Sequence, residues 1–193
     1  VTGLNIEIVS IELSDTTNRS SLTFKTRGGD GLATVGEITG DTPLGMLSAK
    51  TIDLVGAGID LSGSGYIGSV QLHDVRNGAD IRLPGLGATR GVTITTGVLH
   101  PDTDIVLGSY LKSLTATEWL GGSLVAPWVS SISVKGDSRS GVSGDFDADV
   151  TLTGADAKGV ALDKFTVAGT IIDATITANN GSIGTVSAGQ WDS

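Results

Sequence analysis

LKSLTATEW at residues 111–119 and IGTVSAGQW at residues 183–191 carry one and the same pattern. In each, an apolar residue is followed by two spacers, a second apolar residue, one spacer, a third apolar residue and, three positions on, a tryptophan. The positions are Leu111, Leu114, Ala116, Trp119 and Ile183, Val186, Ala188, Trp191. The triplet returns at Leu44, Leu47, Ala49; at Ile67, Val70, Leu72; at Val129, Ile132, Val134; and at Leu162, Phe165, Val167. Ile52 and Val75 continue two of these copies as the tryptophans do, whereas Asp137 and Thr170 occupy that place in the other two. Successive copies start 23, 44, 18, 33 and 21 residues apart. That series reads as one turn, two turns, one turn, one turn enlarged by a loop and one turn of a unit of about 21 residues.

Three short strands and their corners fill a unit of that length. Between the copies the chain alternates with period two, as in Phe146, Ala148, Val150, Leu152 and in Ile172, Ala174, Ile176, Ala178, which describes strands with one buried face. Breaks such as Asn77-Gly78 and Asn179-Asn180-Gly181 suit turns, and no amphipathic helix is read. The expected fold is all-β: a right-handed, single-stranded parallel β-helix, or solenoid, of about 6–8 turns of roughly 20 residues. Each turn then hydrogen-bonds to its neighbours, and inward side chains stack into a continuous apolar column.

Residues 1–43 alternate like longer strands in LNIEIVSIEL and SSLTFKTRG and are expected to form an irregular N-terminal cap. Residues 44–193 are expected to hold the repeats. The chain does not begin with Met and stops inside a repeat copy at Trp191-Asp192-Ser193, which predicts that the repeats continue in a longer parent protein.

Twelve basic against 21 acidic residues leave a formal charge of -9, and the basic residues are scattered singly. Nucleic acid is therefore not an expected partner. No apolar run approaches the length of about 18 residues that spans a bilayer, so no membrane insertion is expected. Cysteine is absent, which removes disulfides and thiolate metal sites.

LKSLTATEW, APWVSSISVKGD, FDADVTLTG and IGTVSAGQW together resemble the repeats of parallel β-helix regions in large bacterial secreted or cell-surface proteins. The resemblance spans roughly residues 44 to 193 and rests on core and turn positions, so it transfers no functional residue. It implies an extracellular or cell-surface structural module. Adhesion is the usual role, and the implied partners are neighbouring repeats of the same or identical chains and surface glycans or proteins.

The polar constellations are sparse. Asp145, Asp147 and Asp149 lie on one face of a strand, about 7 Å apart in succession, and are the calcium candidates, although Val150 stands where an EF-hand loop needs glycine. No other cofactor is expected. Gly63-Ser64-Gly65-Tyr66-Ile67-Gly68 matches a dinucleotide-binding string but runs into a strand motif rather than a helix. His73, one residue past inward Leu72, is expected on the surface, and His100 lies near Asp102 and Asp104.

The reading that follows is a non-catalytic structural or adhesive module. The enzymatic alternative is a carbohydrate-active β-helix, whose carboxylates and bases would come from groups on successive turns such as Asp53, Asp74, Asp80, Arg76 and Arg82. Trp119 and Trp191 fall on repeat positions expected to be buried, which leaves Tyr66, Tyr110 and Trp128 as sugar platforms. A third reading is end-to-end self-assembly into fibres.

Overall fold

The computed structural model describes residues 7–85 and 90–192; residues 1–6 of the N-terminal stretch and Ser193 lie outside them. Among the described residues there are strands and turns but no helix, and the strands pair in parallel to form a β-solenoid of about eight turns.

The first sheet contains eight strands: Ser21–Thr23, Leu44–Ala49, Ile67–Leu72, Val92–Thr95, Leu111–Ala116, Val129–Val134, Val160–Ile172 and Ser182–Asp192. All six motif copies lie on it, and their middle residues stack in register, Leu47 over Val70 and Leu114 through Ile132 and Phe165 to Val186. The two-spacer gap is the informative detail. Strict alternation would put Leu111 and Leu114 on opposite faces, yet both are buried, so the strand kinks at Lys112-Ser113. Neighbouring copies share the kink and keep register. Val92-Thr93-Ile94 lacks the extra residue, and there the pairing shifts between Leu111 and Ser113. That missing residue hid this turn from the motif.

The second sheet runs through Ala33–Gly40, Ile52–Leu61, Asp80–Leu83, Thr103–Leu107, Gly122–Ala126, Asp149–Leu152 and Ile176–Ala178, with Glu7–Ile8 and Ile11–Leu13 both paired to Ala33–Gly40. Within the stretch read as a cap, Ser21–Thr23 and Ala33–Gly40 thus each contribute a strand to a main sheet.

A narrow third face joins Leu54, Val75, Leu99, Trp119, Phe146, Ile171 and Trp191 into one column. This column is the fourth apolar position of the motif, with three replacements. Leu54 stands in place of Ile52, Ile171 in place of Thr170, and Phe146 in place of Asp137, after a loop across residues 136–144. Corners lack a continuous ladder, so a residue or a loop is added there at little cost.

The interior is apolar along the whole coil, with Leu47, Leu54, Ile59, Val70, Leu114 and Leu124 fully buried. Trp119, Phe146 and Phe165 form an edge-on chain, with ring centroids 5.4 and 4.8 Å apart. Trp191, expected to be buried, is 60% exposed on Ser182–Asp192, the last strand described in the first sheet. On the outside, Tyr110 and Trp128 of successive turns stack face to face at 4.0 Å.

Candidate functional site

In-register stacking sets residues of successive turns side by side, about 4.8 Å apart. Because Leu54 pairs with Val75, the preceding residues Asp53 and Asp74 come together at the narrow face, and both are buried. Two stacked carboxylates repel, and burial strengthens the repulsion. Three neighbours, making four contacts, offset it. Arg76 donates from Nη2 to Asp74 Oδ2 at 2.7 Å, while its Nε lies 3.0 Å from Asp53 Oδ2, close but off-line for a hydrogen bond. His73 Nδ1 is 2.7 Å from Asp53 Oδ1, and the Val98 amide donates to Asp74 Oδ1 at 2.8 Å. All four carboxylate oxygens are engaged.

Asp53, His73 and Asp74 hold their ligand atoms within 4.8 Å of one another, the one such group of three among the described residues. Two carboxylates and an imidazole are a donor set for a divalent cation or for acid–base chemistry. Here the guanidinium of Arg76 already supplies the balancing charge. Arg76→Ala removes that charge from two buried carboxylates. Since the Arg76 side chain is itself 40% exposed, solvent screens part of the loss, and the expected cost is about 1–3 kcal/mol. Urea melts at low and high salt check this; an unchanged midpoint in both would refute the role assigned to Arg76.

The groups proposed from sequence for carbohydrate chemistry therefore divide. Asp53, Asp74 and Arg76 meet, and His73, expected on the surface, joins them half-buried. Asp80 and Arg82 form a separate 2.7 Å pair on the second sheet. There the Asp80 hydrogen bond holds the guanidinium above its ordinary value, with the Asp104 and Asp60 charges adding to it. His100 follows Leu99 on the narrow face, its amide bonded to the Val75 carbonyl. The Gly63–Gly68 string is a corner, with Gly63 at φ +56° and the strand beginning at Ile67.

Asp145 accepts from the Thr170 amide at 2.7 Å and from Ser143 Oγ at 2.8 Å, and Asp149 accepts from the Thr175 amide at 2.9 Å. Asp147 lies between them and, with Asp149, Asp173 and Gly122, lines a recess of about 220 Å³. Asp74 and Asp80 bond the next turn in the same manner, to Val98 and Asp104. An aspartate Oδ1 thus stands in for a ladder carbonyl four times. Gly97 and Gly169 precede two of the amide donors, and a Cβ at either would collide with the carboxylate.

The 136–144 loop is closed by reciprocal amide–carbonyl bonds between Asp137 and Val142, each 2.9 Å. Asp137, Ser140 and Val142 face Gln71, His73, Asp74 and Thr96 across an open cleft of about 600 Å³. Ser140 Oγ, and then the Arg139 amide, hold the Asp137 carboxyl below its ordinary value; the Val160 and Lys158 amides do the same for Asp156. A lowered carboxyl stabilises the folded turn above its unfolded value, about 3.9, and that contribution is lost as pH falls through the folded value. Protection of the amides at 137–142 and 156–160, relative to their intrinsic exchange rates, is expected to fall below about pH 4 while that of the sheets is kept.

Comparison with protein families, with curated proteins and with solved structures gives no match. No helix of the described residues is long and apolar enough to cross a membrane.

Proposed function

We propose that the chain is a non-catalytic structural or adhesive module of a large extracellular or cell-surface bacterial protein. The carrying observation is the saturation of its most concentrated polar cluster: every carboxylate oxygen of Asp53 and Asp74 is bonded within the fold or ion-paired, so neither carboxylate is left free for a substrate. The aspartates at 80, 145 and 149 likewise spend an oxygen on the adjacent turn. A coil whose polar groups join turn to turn suits a spacer or display scaffold.

The carbohydrate-active reading keeps one specific support, since His73 and Asp74 border the cleft of about 600 Å³. Incubation with acidic and neutral polysaccharides, assayed for new reducing ends and unsaturated products, separates the two readings. Turnover that disappears in Asp74→Asn would replace the proposal. Its cellular part is tested by protease shaving of intact source cells, where an inaccessible epitope would count against a surface location.

A further inference from the structure

The outward face of the first sheet carries an order that the core pattern conceals. In each turn one buried residue is flanked by two outward ones: Ile94 by Thr93 and Thr95, Leu114 by Ser113 and Thr115, Ile132 by Ser131 and Ser133. The strand registers carry both flanking positions from turn to turn, from Ser21-Leu22-Thr23 to Thr185-Val186-Ser187. Serine or threonine fills six of eight places in one column and seven of eight in the other; Met46, Gln71 and Lys164 are the exceptions.

Two parallel hydroxyl ladders result, about 4.8 Å between rungs and about 6.6 Å across. No register shift falls between the columns, so the array stays in rank along the coil. Its hydrogen-bonding capacity is open: among the described residues the ladders make two side-chain bonds, Ser48 to Gln71 and Ser187 to Thr166, both long at 3.4 Å. In a chain of net charge -9 the two columns themselves carry one ionic group, Lys164, with Lys112 and Asp163 exposed at the kink beside them and Asp137 across the cleft that Gln71 and Thr95 line.

We infer that this face binds ice. A rigid, two-dimensional array of hydroxyls with a single charge in its two columns fits a neutral, periodic hydrogen-bonding surface, because ordering is already built into the protein. The repeat between rungs is close to an oxygen spacing on the faces of hexagonal ice. Neither column carries an aromatic ring, but the Tyr110–Trp128 stack lies one position before the strands at the border of the face, so a crystalline polysaccharide is the competing partner. This goes beyond the surface-module proposal and stands or falls separately, since it rests on the face alone.

The test uses the purified chain in polycrystalline ice and with single ice crystals, reading grain coarsening and thermal hysteresis. The expected result is slowed coarsening and faceted crystals. Both effects should be lost in Thr95→Arg/Thr115→Arg, whose melting curve should match the parent, kept in Thr151→Arg on the second sheet, and strengthened in Lys164→Thr, which restores a rung. A parent chain without effect on ice overturns the inference, as does an effect lost equally in Thr151→Arg or unchanged in both ladder variants. Retention on crystalline cellulose with ice growth untouched also overturns it and assigns the face to a polysaccharide.

Discussion

Leu114→Asp is expected to leave the chain unfolded at room temperature, or to lower its melting temperature by at least roughly 10 °C. Leu114 is fully buried in the inward column, paired to Ile94 on one side and Ile132 on the other. The substitution forfeits about 2 kcal/mol of side-chain burial and places a carboxylate where no cation or donor stands. An ionised group there costs several kcal/mol more, and protonating it instead still leaves an unpaired carboxylic acid. The total approaches the whole stability of an ordinary domain, about 5–15 kcal/mol. Because turns contact mainly their neighbours, the damage falls at the middle of the coil and divides it. Circular dichroism melts are the measurement, and a variant melting with the parent would remove Leu114 from the core.

Trp119→Ala is expected to cost about 3–5 kcal/mol. The indole is fully buried, meets Phe146 edge-on at 5.4 Å, and donates from Nε1 to the Gly121 carbonyl at 2.9 Å. Its loss opens a cavity beside the Phe146–Phe165 pair and leaves that carbonyl without its indole donor. The same substitution at Trp191, the equivalent motif position, is expected to change stability by no more than about 0.5 kcal/mol, because that ring is 60% exposed. Urea denaturation of both variants measures the contrast. Equal losses would contradict the exposed placement of Trp191.

The same pair shows how far pattern reading reached. LKSLTATEW and IGTVSAGQW are alike in sequence, and both occupy the first sheet and the narrow face as the repeat demands. Pattern marks which side of a strand a residue takes, and that is a local property of backbone geometry. It does not carry the number of neighbouring turns, which decides burial. Corner length was similarly opaque. Reading Ile52 as the narrow-face residue displaced Asp53 from its alignment with Asp74, and the true equivalence of Leu54 and Val75 is what sets the two carboxylates together. Alternation alone puts His73 outside, and the pull of Asp53 on its Nδ1 is not legible without that alignment.

The candidate calcium ligands make the point from the other side. Asp145 precedes the narrow-face residue Phe146 and Asp149 opens the second-sheet strand Asp149–Leu152, so the three carboxylates are spread over a corner rather than along one strand, and Asp145 and Asp149 each turn an oxygen to an amide, 25 and 26 residues further on. Partners at such separations are invisible to a local motif. The hydroxyl ladders were hidden for the same reason: serine and threonine beside an apolar residue are ordinary in any strand, and only register across eight turns makes them an array.

The all-β parallel coil, the inward column and the approximate length of a turn are legible in the chain, since a repeated spacing of apolar residues has one economical way to be buried. The corner lengths, the meeting of Asp53, His73, Asp74 and Arg76, the exposure of Trp191 and the ranks of hydroxyls emerge with the fold. Those features depend on which residue of one turn lies over which residue of the next. That register emerges from hydrogen bonding along the whole coil rather than from any short stretch of chain.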